Sequence, residues 1–313
     1  MKILITGGSG FIGSRLTEHL TNQGHEVVNV DIADKNPVNI LDQEALNEKS
    51  AGCEVIYHLA ALHSDDIFPR SRYYDTNTQG TQNVIQAAKA NGIKRIIFTS
   101  TFAVYGLNTG MPTEDSEPSP FNDYGESKLQ AEKHLKAWID ESPDNIATII
   151  RPVVVFGEGN RGNVYTLLNQ ITSKKFIMIG KGNNRKSMAY VGNVAEFLTF
   201  CMDEKEAFKI YNYADKPDNQ IKYLIDSIYT QLGWKKPSFY VPYLLGLSAG
   251  YVFDFLTKIT GKNFPISSVR VQKFCADTTC EAERYRQTGF EPKYTLSDGV
   301  QRMIDHDFAE FKK

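Results

Sequence analysis

The chain has 313 residues, enough for two domains or for one large domain with an added lobe. Its 35 Lys and Arg balance 37 Asp and Glu, and 41% of residues are hydrophobic against 23% charged. These proportions exclude a disordered chain and argue against a nucleic-acid binder, which would present a basic surface.

Met1-Lys2 runs directly into Ile3-Leu4-Ile5, too short a stretch for a signal-peptide core, so a first strand is expected over 2–5. Residues 6–13 then read Thr-Gly-Gly-Ser-Gly-Phe-Ile-Gly and open a helical pattern over 11–22. Gly8, Gly10 and Gly13 satisfy G-x-G-x-x-G, and Gly7, Gly10 and Gly13 satisfy a glycine at every third position. Either spacing permits a tight turn and a close approach of backbone N–H groups to a pyrophosphate at a helix N-terminus. Gly7, Gly10, Phe11, Ile12 and Gly13 are therefore candidate cofactor contacts. A second strand over 26–30 ends at Asp31, whose carboxylate can accept from a ribose 2′-hydroxyl and would repel a 2′-phosphate. That favours NAD over NADP, against the plainer reading of a solvated strand-end carboxylate.

Further strands are expected at 55–59, 93–98 and 147–150, with helices at 76–91 and 124–141; Gly24 and Gly92 close the first two helices. This alternation predicts βαβ units and an α/β fold with a Rossmann-like, doubly wound parallel sheet. From about residue 157 the alternation weakens, and Pro217, Pro237, Pro242, Pro265 and Pro292 punctuate the chain. We divide it into an NAD-binding domain at 1–156 and a smaller mixed substrate lobe at 157–313, with a helix at 192–203 and a strand at 209–213 returning to the sheet. The apolar stretch 239–256 is interrupted by Pro242, Gly246, Gly250 and Asp254 and barely reaches spanning length. It reads as a buried helix, with membrane-surface contact as the lesser alternative.

Cys53, Cys201, Cys275 and Cys280 form no C-x-x-C pair and fit inert thiols in a reducing, cytoplasmic setting. His58 and His63 lack the acidic or thiol neighbours of a metal site, so no metal is expected. His58 reads as a packed strand residue and His63, just past the strand, as at most a substrate contact. Tyr124 and Lys128 stand at i and i+4 on one helical face. A lysine cation there is expected to pull the phenol below its ordinary pKa near 10 and fit it for acid–base work. In isolation Y-x-x-x-K usually marks only an exposed helix face, but here it follows both the glycine loop and Thr99-Ser100-Thr101.

Taken together, TGGSGFIG at 6–13, HLAA at 58–61, STFAVYG at 100–106 and YGESK at 124–128 resemble, in order and spacing, the extended short-chain dehydrogenase/reductase family, in its NAD-dependent nucleotide-sugar epimerase/dehydratase branch. The resemblance covers nearly the whole chain. It implies an NAD domain, a sugar-nucleotide lobe and a homodimer formed through a four-helix interface. It makes Thr101 the hydroxyl on the reacting sugar oxygen, Tyr124 the acid/base, Lys128 the group on the nicotinamide ribose and Asn77 a support on the cofactor side. Asn39 and Ile40 fall where an acidic-aliphatic pair usually meets the adenine, and Leu59, Ala60 and Ala61 where the backbone passes the cofactor. Arg185 or Lys186 would neutralise the substrate diphosphate.

Two departures narrow the chemistry. Thr101-Phe102-Ala103 stands where the 4,6-dehydratases carry Thr-Asp-Glu, which disfavours dehydration, and Val154 stands where many galactose-type epimerases have a substrate-binding asparagine. The leading expectation is an epimerase acting at C4 of a UDP-hexose or UDP-N-acetylhexosamine through a 4-keto intermediate. The alternatives are a 4-keto-sugar reductase or dehydrogenase, a hydroxysteroid-dehydrogenase-like oxidoreductase suggested by the apolar stretch, and an NAD-sensing regulator, which typically loses the Tyr/Lys pair.

Overall fold

Short runs of β-branched residues pair side by side because each is apolar on both faces, the pattern of a sheet covered by helices on either side. In the computed structural model, which describes residues 1–64, 67–106, 110–260 and 267–313, these runs are β1 (Lys2–Thr6), β2 (Glu26–Val30), β3 (Val55–His58), β4 (Arg95–Thr99), β5 (Ile146–Pro152) and β8 (Phe208–Tyr213). They form one parallel sheet in the order β2-β1-β3-β4-β5-β8. The order reverses at β1, so the loop after β1 lies at the topological switch point where α/β sheets bind ligands.

Around it run α1 (Phe11–Asn22), α2 (Gln43–Ser50), the short α3 (Ser71–Tyr73), α4 (Gly80–Ala90) and α5 (Asp123–Asp140). Helix α2 was not anticipated; it carries few apolar residues and is set by Asp42, whose side chain caps the Ala45 N–H. The pattern expected as one helix over 76–91 instead enters through a π-helical turn, Tyr74–Gln79, before α4. Such turns widen the backbone ladder and are frequent at functional sites.

The chain divides into two compact units. The first comprises Met1–Val155, Ala189–Ala214 and Cys280–Lys293, and the second Phe156–Met188, Asp215–Thr279 and Tyr294–Lys313. In the first unit, α7 (Val191–Phe200) packs on α1, and β8 closes the sheet edge. Phe197 of α7 gathers Tyr213, Tyr285 and Phe290 around it, which anchors the 280–293 segment. In the second unit, β7 (Arg185–Tyr190) and β9 (Asp215–Gln220) pair antiparallel. Helix α8 (Ile221–Gln231) meets α12 (Leu296–Asp307), while α9 (Tyr243–Thr260) packs on α10 (Ser268–Cys275).

The expectation of a buried helix over 239–256 is corrected here. Only Gly246 and Gly250 of α9 are buried; Leu247, Phe253 and Leu256 are half-buried, and the helix's other large apolar side chains are exposed. The small residues face inward because the helix lies too close to its neighbours for side chains: a Cβ on Gly246 would come within 2.6 Å of Ile179, and one on Gly250 within 2.7 Å of the Ser268 backbone. Pro265 lies outside the described residues.

Candidate active site

The glycine loop is built by contact distances. Gly7 has φ +76°, and a Cβ there would lie 2.6 Å from the Ala60 nitrogen; a Cβ on Gly13 would lie 2.0 Å from the Gly7 carbonyl oxygen. The spacing that the backbone demands is thus Gly7, Gly10, Gly13, with Gly10 as the N-cap of α1 and no side chain capping its first turn. The N–H groups of that turn, including those of Phe11 and Ile12, remain available to an anion. Asp31 closes the loop from the next strand: its carboxylate accepts from the Ser9 N–H at 3.0 Å and from the Ala33 N–H at 2.8 Å. Leu59 donates its N–H to the Thr6 carbonyl at 2.9 Å, bringing Ala60 and Ala61 past the glycines. Nearby, Asn39 turns its side chain onto the Leu41 N–H, while Ile40 is buried against Gly80 with its carbonyl taken by Asn83. A cradle closed to side chains, an uncapped helix start and a strand-end carboxylate together fit the pyrophosphate and ribose of a dinucleotide.

Thr101, Tyr124 and Lys128 come together at the end of β4. Gly125 lets α5 approach until a Cβ there would sit 2.8 Å from the Ala103 carbonyl oxygen. That approach sets the Tyr124 hydroxyl beside Thr101, whose side chain also caps the turn at Ala103. One helical turn on, the ammonium of Lys128 lies 4.0 Å from the centre of the Phe98 ring and is almost wholly buried. Burial pushes Lys128 down to about 7, against an upward pull from Glu132. Burial also pushes the Tyr124 phenol above its ordinary value, and the adjacent Thr101 hydroxyl only partly opposes it. The expected lowering of Tyr124 by Lys128 is therefore not observed: desolvation of the phenol dominates, and a lysine held near 7 keeps only part of its charge.

Asn77 sits in the π-helical turn. Its amide donates to Ser127 Oγ at 2.9 Å and to the Leu62 carbonyl at 3.0 Å, and its oxygen accepts from the Leu62 N–H at 2.8 Å. It thereby ties the loop after β3 to the face of α5 that carries Tyr124 and Lys128. His63 is exposed in that loop. Arg185 and Lys186 lie on β7 in the second unit, where the Arg185 guanidinium donates to the Asp218 carbonyl and the Lys186 ammonium to the Lys273 carbonyl.

Sequence reasoning missed the support beneath the Tyr/Lys pair. Glu132, four residues after Lys128, receives Arg151 Nε at 3.0 Å and Nη2 at 2.5 Å, together with the Ser100 hydroxyl. Arg151 continues to Tyr105, and Tyr105 to the buried Asn212. Two signals were present: an acid one turn beyond Lys128, and an arginine at the end of an otherwise apolar strand. His58, too, is a network member, held between the hydroxyls of Thr6 (2.7 Å) and Thr81 (2.9 Å), and burial keeps its ring well below the usual pKa and neutral.

Comparison with known proteins decides the family. Residues 3–214 match the NAD dependent epimerase/dehydratase family. The chain belongs to this family. It is an NAD-dependent epimerase/oxidoreductase of the extended short-chain dehydrogenase/reductase type. It is 46% identical, over its full length and 97% of the relative, to the N-acetyl-alpha-D-glucosaminyl-diphospho-ditrans,octacis-undecaprenol 4-epimerase of Escherichia coli O157:H7. It is 27% identical to the UDP-glucose 4-epimerase of Vibrio cholerae, over 96% of this chain and 94% of that one. Its fold matches the crystal structure of UDP-glucose 4-epimerase from Thermotoga maritima with UDP-glucose at a TM-score of 0.77 and 22% identity, each chain covered completely.

Proposed function

We propose that this epimerase inverts C4 of an N-acetylhexosamine whose C1 diphosphate is carried on a polyprenyl chain. The observation that carries this reading is the 46% identity over the whole chain to an epimerase named for such a lipid-linked sugar, against 27% to a UDP-glucose 4-epimerase. A UDP-hexose or UDP-N-acetylhexosamine is the second reading, favoured by the UDP-glucose 4-epimerase relative; the chemistry at C4 is the same in both. A homodimer and a cytoplasmic location complete the proposal.

The residues divide the work as follows. The glycine loop and the first turn of α1 would hold the pyrophosphate of NAD, and Asp31 its ribose. When bound, NAD supplies reversible hydride acceptance at C4. Tyr124, as phenolate, removes the proton of the 4-hydroxyl and returns it once the 4-keto sugar has turned over, so the chain ends the cycle unchanged. Thr101 donates a hydrogen bond to the same oxygen and holds it against the phenol. Lys128 would hold the nicotinamide ribose, and Asn77 and Glu132 keep the helical face in place. Arg185 or Lys186 would meet the diphosphate.

The test is to incubate the purified chain with NAD and either UDP-N-acetylglucosamine or N-acetylglucosaminyl-diphospho-polyprenol, following the sugar by NMR. The lipid-linked 4-epimer should form with no net NADH, and faster than the nucleotide-linked one. Tyr124→Phe should lower turnover by at least about 100-fold. Full turnover by Tyr124→Phe would sink the mechanism, and exclusive use of the UDP-sugar would sink the substrate assignment.

A further inference from the structure

Helix α9 has its polarity reversed. Leu244, Leu245, Tyr251, Val252, Phe255 and Ile259 are 56% to 73% exposed. At about 100° per residue these positions fall within one arc of roughly 120°. The opposite side carries Gly246, Gly250 and Asp254, and Asp254 accepts from both the N–H and the hydroxyl of Ser268 on α10. A helix facing water places its apolar stripe inward and its polar residues outward. Here Gly246, Gly250 and Asp254 make close protein contacts beside the half-buried Leu247, Phe253 and Leu256, and a contiguous apolar face is left outside.

The exposed surface continues beyond the helix. Phe239 and Tyr240 precede it, and the pairing of Val241 with Met178 and Gly180 lays Ile177, also exposed, beside them. A cavity of about 460 Å³ lies at the start of α9, lined by Tyr243, Cys275 and the Gly180–Asn184 turn with its Lys181. Aromatic residues beside a contiguous aliphatic face are the composition found at a bilayer boundary. Among the described residues no helix is long and apolar enough to cross a membrane.

We propose that the outer face of α9 docks on a lipid bilayer, lying in the plane between headgroups and acyl chains. The occupant is the bilayer rather than a second copy of the chain, and this inference rests on the polyprenyl reading of the substrate. A sugar diphosphate whose tail stays in the membrane can be reached only by an enzyme held at that surface, and the reversed helix supplies the hold.

The experiment floats the full chain with vesicles of phosphatidylcholine, alone or mixed with phosphatidylglycerol. Its companion is the combined variant Leu244→Ser, Val252→Ser, Phe255→Ser, Ile259→Ser. The wild-type chain should float, and the variant should lose at least about tenfold in vesicle partitioning. The variant should keep its thermal transition and its epimerisation of an N-acetylglucosamine diphosphate on a short, water-soluble prenyl chain. A wild-type chain that stays unbound yet converts the long-chain substrate in detergent overturns the docking and leaves the substrate reading standing. Equal flotation of variant and wild type overturns it too, as does a wild-type dimer that the variant dissolves without any vesicle binding. Flotation without turnover of any prenyl-linked sugar supports the docking and removes the substrate reading.

Discussion

The interior of the first unit and helix α9 of the second break the same rule in opposite directions. In the first unit Lys128, Glu132 and Arg151 are each less than 5% exposed, three ionic side chains inside a sheet-and-helix core. On α9, six large apolar side chains are more than half exposed. Packing alone would favour neither, since buried charge costs desolvation and exposed apolar surface forfeits burial. In the first unit the cost is offset by hydrogen bonds that hold a tyrosine and a lysine on one face of α5. On α9 the exposed face is the one that the proposed bilayer contact would cover. Departures from hydrophobic patterning thus locate the working parts in both units.

The largest effect should come from breaking the buried pair. Arg151→Met alone leaves the Glu132 carboxylate buried with only Ser100 and Lys128 for company, and should cost about 3–5 kcal/mol in denaturant unfolding. The double variant Arg151→Met, Glu132→Gln should recover most of that. If the single change costs under about 1 kcal/mol, the pair behaves like a surface ion pair and the contrast with α9 collapses.

Lys128→Met should act with the opposite sign. Burial holds Lys128 near 7 against 10.5 unfolded, so its desolvation cost is fully present below pH 7 and is relieved as pH rises from 7 to 10.5. Removing the ammonium should therefore stabilise the NAD-free chain at pH 7, by of order 2 kcal/mol, while epimerisation falls at least about 100-fold. A destabilised variant would mean that the Phe98 ring and Glu132 more than repay the burial.

Most of the sheet was legible because its signals are local. Val27-Val28 and Ile96-Ile97 announce strands, and the glycines at 7, 10 and 13 sit within one loop. Thr101, Tyr124 and Lys128 could be nominated from short spacings, and the structure brings them together. Glu132 and Arg151 each left a local signal, but their pairing joins a helix to a strand 19 residues away, a proximity that only the crossover creates. The return of Cys280–Lys293 to the first unit depends on Tyr285 reaching the Ala214 carbonyl, a contact 71 residues apart. For α9, periodicity defined a face but not its direction. The inward side is chosen by close contacts at Gly246 and Gly250 that involve residues remote in sequence.

The finest test of the contrast is a pH slope. His58 is wholly buried between Thr6 and Thr81, and its ring stays neutral well below the ordinary histidine pKa of 6.5. The unfolded chain takes up a proton there below pH 6.5 and the folded chain does not, so folding stability falls as pH drops through that value. The slope attributable to one such group is about 1.4 kcal/mol per pH unit. His58→Gln keeps a donor and an acceptor for the two hydroxyls but has nothing to protonate, so subtracting its pH profile from the wild-type profile isolates the histidine. Polar substitutions on α9 remove no titrating group and should leave the slope untouched. A His58→Gln profile parallel to the wild type below pH 6.5 would show that the ring accepts a proton without opening its hydroxyl cage. The cage formed by Thr6 and Thr81 would then be wetter and looser than its hydrogen bonds imply.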